Sequence, residues 1–130
     1  MLVIDASALI AWVMPDEIGI DLGAALAGDG EILAPWLLWV ELRNILLVNE
    51  RRGRLPAGMA DQIVEAIEEL GIRLDVTPSG PVVMDLARRH GLTAYDALYL
   101  ETALRHGGRL ASLDKALLNA AKAEGAETLS

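Results

Sequence analysis

Short apolar runs alternate with helical stretches from one end of the chain to the other, and that alternation limits the fold more than any other feature. Residues 1–4 form an apolar run that ends abruptly at Asp5. Residues 32–34, 72–76, 109–113 and 126–129 give further strand-like runs, short enough for buried parallel strands. Helical stretches fill the gaps, at 6–14, from Asp16 to about Ala27, and at 35–52, 57–70, 81–90, 93–105 and 114–123. Their boundaries carry the expected punctuation. Pro35 and Pro81 stand at helix starts, Gly53, Gly71 and Gly91 at helix stops, and Gly107-Gly108 after the sixth stretch. Strands alternating with helices imply an α/β fold with a central parallel sheet covered by helices on both faces. The stretch from 35 to 71 has no strand inside it and reads as a helical hairpin on one side. In sheets of this kind a ligand site lies beyond the carboxyl ends of the strands, where the strand order reverses.

Composition narrows the chemistry. The 130 residues suit one domain spanning 1–130, and 53% of them are hydrophobic, enough for a core without staples. Cysteine is absent, which excludes a disulfide scaffold and a thiolate zinc site. With only His90 and His106, a metal would be held by oxygen ligands, as Mg²⁺, Mn²⁺ or Ca²⁺. Asp5 interrupts the N-terminal apolar run too early for a signal peptide, and no stretch reaches the ~18 apolar residues that span a bilayer. The expected setting is intracellular, without a membrane. A net charge of −8 argues against a polyanionic partner unless several acids share one cluster that a divalent cation neutralises.

Four acids fit such a cluster, each with a simpler reading beside it. Asp5 follows the first strand directly; as the plain alternative it caps the next helix, a task that Ser7 could take over. Glu41 has Leu37, Leu38, Ile45 and Val48 as its helical neighbours, so it stands on a face that should be buried, where a lone carboxylate is costly. Asp96 has Tyr99, Leu100 and Ala103 on its face, although an acid in a first turn also suits the helix dipole. Asp114 follows another strand and starts a helix, a position that serves a cap equally well. Together they describe an acidic pocket for phosphodiester hydrolysis, which needs an activated water and neutralised phosphate charge. Mg²⁺ takes one or two carboxylates directly and keeps several waters. Asp5 and Asp96 are the expected direct ligands. Glu41 and Asp114 would orient waters, bind a second ion, or do both.

The strings carrying these acids resemble a known family. VIDASALIAW around Asp5, PWLLWVELRNIL around Glu41, LTAYDALYLETAL around Asp96 and LASLDKALLNAA around Asp114 are similar to the four acidic motifs of PIN-domain ribonucleases. Over nearly the whole chain the similarity is greatest to the VapC-type toxins of prokaryotic toxin–antitoxin pairs. The resemblance implies a PIN-like three-layer sandwich with a projecting helical hairpin. It further implies a Mg²⁺- or Mn²⁺-dependent endoribonuclease that leaves a 5′-phosphate, a cytoplasmic homodimer, and inhibition by a small antitoxin protein inserted into the active-site groove. By position, Asp5 and Asp96 match metal ligands, and Glu41 and Asp114 the remaining catalytic acids. Ser7 matches a supporting hydroxyl, and Ser112 stands where many relatives carry Thr.

The remaining motifs carry less. Arg51, Arg52 and Arg54 suit a helix C-terminus and a solvated loop, or a phosphate or antitoxin contact. Trp12, Trp36 and Trp39 suit core or interface anchors. Tyr95 and Tyr99 read as packing beside Asp96, and His90 and His106 as helix-end residues without a catalytic role. Three rival functions differ in kind. A phospho-acceptor signalling domain needs an acidic pair after the first strand and a Lys in the last; the chain offers a lone Asp5 and no such Lys. A vestigial binding protein would not need all four acids. A related nuclease of RNA maturation or DNA processing would be told apart by the neighbouring genes.

Overall fold

The computed structural model describes residues 1–13 and 30–130. The helix expected from Asp16 to about Ala27 lies outside the described residues. Among the described residues five strands are present, β1 (Leu2–Ile4), β2 (Ile32–Pro35), β3 (Arg73–Asp75), β4 (Arg109–Ala111) and β5 (Thr128–Leu129). The described helices are α1 (Ala6–Val13), α2 (Leu37–Arg51), α3 (Met59–Glu68), α4 (Gly80–His90), α5 (Ala94–His106) and α6 (Lys115–Ala123). The strands form one sheet in the order β3-β2-β1-β4-β5, every pairing parallel. The expected α/β sandwich is therefore observed.

Burial explains the parallel arrangement. No residue of β1 is more than 2% exposed, so both faces of the central strand are covered. Leu2 and Val3 align with Ile32 and Leu33 on one side and with Arg109 and Leu110 on the other. Helix α5 crosses the middle of the sheet, touching β1, β2 and β4, and it also packs against α4 and α6. Helices α2 and α3 pair as the expected hairpin, and α2 rests on α1 and β2 through Leu37, Leu38, Leu42 and Leu46, all buried. From β1 the chain builds outward through β2 to β3, then crosses back through α4 and α5 to β4 on the opposite side of β1. The switch point thus lies between β1 and β4, and Asp5 and Asp114 follow those two strands.

One boundary differs from the sequence reading. Pro35 was expected to open the long helix, but it ends β2, aligned with Asp75, and the helix begins at Leu37. The Trp36 N–H continues the ladder by bonding the Asp75 carbonyl at 2.9 Å before the backbone turns. Proline's fixed φ suits a strand end and a first helical turn equally, so the residue alone could not decide between them. At the other end of the sheet a glycine pair joins α5 to β4. Gly107 caps the helix with φ of 64°, and a side chain on Gly108 would stand 3.3 Å from the Met1 carbonyl and from Val3.

Candidate active site

Asp5 is 6% exposed at the carboxyl end of β1. Its Oδ1 accepts the Ala8 N–H at 3.0 Å, so Asp5 itself caps α1. The alternative, in which Ser7 could take over the capping, is not what the structure shows. The Ser7 hydroxyl donates to Asp5 Oδ1 at 2.7 Å instead, and it accepts the Leu113 N–H at 3.1 Å. Ser112, wholly buried, donates to Asp5 Oδ2 and accepts the Asp114 N–H at 3.0 Å. Two serine bridges thus tie the end of β1 to the end of β4. Asp114 in turn caps α6, its Oδ1 accepting the Leu117 N–H at 2.9 Å. Both plain readings of these acids as caps hold, and both residues still stand at the switch point.

Asp96 lies in the first turn of α5, half-buried, behind a Thr93 cap whose hydroxyl accepts the Asp96 N–H at 3.2 Å. Glu41, also half-buried, reaches across from α2, and its Oε1 accepts the Tyr99 hydroxyl at 2.7 Å. Electrostatics shows that these groups share one region. Burial pushes the Asp96 carboxyl up, and the charges of Asp114, Asp5 and Glu41 push it further. Burial also raises Asp5, with Asp114 adding to the rise, while hydrogen bonds from Ser112, Ala8 and Ser7 pull the other way. The Tyr99 phenol is raised by burial, by its bond to Glu41 and by the charges of Glu41, Asp5 and Asp96.

The donor set suits a hard divalent cation, since it consists of carboxylate and hydroxyl oxygens. Among the described residues no three carboxylates or imidazoles converge closely enough to hold an ion by themselves. A carboxylate offers about four acceptor sites, and Asp5 uses three of them within the protein. Such a cluster would hold a cation through one or two direct carboxylates and fill the rest of its shell with water, as Mg²⁺ prefers.

The structure brings together all six residues singled out from sequence: Asp5, Ser7, Glu41, Asp96, Ser112 and Asp114. It separates both histidines from them. His90 meets Glu124 at 2.7 Å, and His106 meets Asp75 at 2.6 Å. Tyr95 is 61% exposed and so is not packing; with Trp36 and Met84 it lines an apolar groove beside the Asp96 turn. Trp39 is exposed too, beneath the Arg43 guanidinium at 3.8 Å. Sequence reasoning missed a buried ion cluster. Arg105 grips Asp75 at 2.7 and 2.8 Å and Glu101 at 2.6 and 3.2 Å, joining α5 to the end of β3. That grip holds the Asp75 carboxyl well below the usual carboxylate range. The Glu101–Arg105 spacing of four residues was the local signal available for it.

The parallel sheet thus carries an acidic cluster at its switch point, and the family follows from direct comparison. The PIN domain model matches residues 2–123, and the chain belongs to that family. It is 35% identical over 119 residues to Ribonuclease VapC3 of Pyrobaculum aerophilum, across 89% of this chain and 91% of that protein. The crystal structure of PAE2754, also from Pyrobaculum aerophilum, superposes with a TM-score of 0.75 at 26% identity, covering 98% of this chain and 87% of that one. FitAcB from Neisseria gonorrhoeae shares the fold at 17% identity, with a TM-score of 0.66 over 100% and 97% of the two chains.

Proposed function

We propose that this chain is an endoribonuclease dependent on Mg²⁺ or Mn²⁺, and that it acts as the toxin of a VapC-type toxin–antitoxin pair. The observation that carries the reading is the gathering of four acids at the carboxyl edge of the sheet, where Asp114, Asp5 and Glu41 all push the Asp96 carboxyl up. Acids gathered without a balancing cation oppose one another, a cost that a bound divalent cation would relieve. Asp5 and Asp96 are the residues that would hold the cation, with Glu41 and Asp114 orienting water or serving a second ion. A divalent cation bound there supplies charge neutralisation for the phosphate and a more acidic water. The protein's own part is to fix the acids. Ser7 and Ser112 hold both Asp5 oxygens, Tyr99 holds Glu41, and the Thr93 cap sets the turn that carries Asp96.

The 35% identity to Ribonuclease VapC3 supports RNA as the substrate and a cognate antitoxin as the partner. A cytoplasmic homodimer folded as one domain completes the proposal. Among the described residues no helix is long and apolar enough to cross a membrane. The phospho-acceptor alternative would need a lysine in the last strand, and β5 (Thr128–Leu129) has none.

The test is cleavage of a structured RNA by the purified protein with Mg²⁺, with Mn²⁺ and with EDTA, beside Asp96→Asn. Metal-dependent cleavage that the substitution abolishes is the expected result. Equal cleavage by parent and variant would trace the activity to a contaminant, and no cleavage of many RNAs under either metal would refute the proposal.

A further inference from the structure

Glu41 and Asp96 sit on different helices, and a single side chain joins them. Tyr99 lies three residues after Asp96, on the same face of α5, and its ring is 2% exposed. Its hydroxyl donates to Glu41 Oε1 at 2.7 Å, across 58 residues of chain. A buried phenol needs a partner for its proton, and a glutamate free to turn about three side-chain bonds needs an anchor to keep one orientation. Each group answers the other's need. Among the described residues no buried side-chain N or O lacks a partner, and for the Tyr99 hydroxyl that partner is Glu41.

We propose that Tyr99 is a positioning residue for the nuclease, holding Glu41 by Oε1 so that Oε2 is left to serve the divalent cation or its water. The spacing between the acids of α2 and α5 is then set by one hydrogen bond and one helical turn. This assignment rests on the nuclease reading above for its catalytic consequence, but not for its effect on cation binding. Groups that orient metal ligands from behind typically contribute about 10–100-fold in metal affinity or activity.

Tyr99→Phe keeps the ring and removes the hydroxyl, so packing alone predicts little change. The expected result is Mn²⁺ binding weakened about tenfold or more, measured by electron paramagnetic resonance, and kcat on RNA lowered by a similar factor with KM for RNA unchanged. In a Glu41→Gln background the same substitution should add no further loss, because Tyr99 acts through Glu41. Parent-like Mn²⁺ binding and cleavage in Tyr99→Phe, or a full additional loss on top of Glu41→Gln, would overturn the assignment.

A second measurement does not depend on how well that variant folds. The chain has two tyrosines, so 3-fluorotyrosine in a Tyr95→Phe protein reports Tyr99 alone. Its fluorine resonance should move on addition of Mg²⁺, and a resonance indifferent to saturating Mg²⁺ would refute the role. A parent that binds Mn²⁺ yet cleaves no RNA would sink the nuclease reading while leaving the Tyr99 comparison decisive. A parent that binds no divalent cation would sink both.

Discussion

Replacing Arg105 by Met is the sharpest test of what holds α5, and with it Asp96, on the sheet. The substitution keeps a long apolar stem but deletes four hydrogen bonds to carboxylates, two to Asp75 and two to Glu101, and a 3.2 Å contact with His106 Nε2. The two carboxyl side chains are 5% and 2% exposed, so neither can turn to water. Thr77 N–H and His106 still serve Asp75, and Ser79 N–H still serves Glu101. Breaking a buried ion pair costs about 3–5 kcal/mol. The Arg105 side chain is itself 30% exposed, and the remaining donors compensate in part, which places the expected loss near the bottom of that range, about 3 kcal/mol. With a urea m-value of ~2 kcal/mol/M, the unfolding midpoint at pH 7 falls by about 1.5 M.

Acid changes the outcome in a definite direction. The Asp75 carboxyl is depressed in the folded protein, so its contribution is complete above the unfolded carboxylate pKa of about 3.9 and is lost as pH falls toward the folded value. Without Arg105 that depression is lost, so the deficit of the variant should hold from pH 7 to about pH 4 and shrink as the pH falls further. Urea titrations of parent and variant through both ranges decide the matter. A loss below about 1 kcal/mol at pH 7, or a deficit that does not change with pH, would show that solvent already screens the cluster.

Two further substitutions separate structure from chemistry at the site. Asp114→Asn keeps the α6 cap and should leave stability within about 0.5 kcal/mol while RNA cleavage falls sharply; Asp114→Ala should lose the activity and about 1 kcal/mol besides, both read by thermal unfolding and a cleavage assay. Ser112→Ala removes a buried hydroxyl that bonds a carboxylate and a backbone N–H, and should cost about 1.5–3 kcal/mol in urea unfolding. A Ser112→Ala protein as stable as the parent would mean that the bridge between β1 and β4 carries no weight.

Much of this arrangement was legible in the chain because its signals are local. An apolar run ending in Asp5, and Glu41 in the middle of an apolar helical face, are anomalies visible within a few residues. The parallel sheet followed from alternation, whereas the strand order, and with it the switch point between β1 and β4, came from the structure. The resemblance, not the spacing, supplied ribonuclease chemistry and partners. What escaped detection depends on contacts across the fold. Tyr99 looked like packing because its partner is 58 residues away, and Arg105 meets Asp75 across 30 residues. Pro35 was misplaced because its rigid φ satisfies two structures at once. Asp5 reads locally as a cap or a site residue, and only the fold shows that Oδ1 caps α1 while Oδ2 accepts the hydroxyl of Ser112, 107 residues away.

The serine bridges also have a polarity. Ser7 and Ser112 each receive a backbone N–H, so each must point its single proton the other way, toward Asp5. Asp5 therefore stands where the surroundings offer it only donors. A proton on an occupied lone pair would set donor against donor, so these bonds oppose the rise that burial imposes on the Asp5 carboxyl. The joint between β1 and β4 thus has a direction, written in its hydrogens, that offsets part of the cost of burying a carboxylate at the head of the central strand.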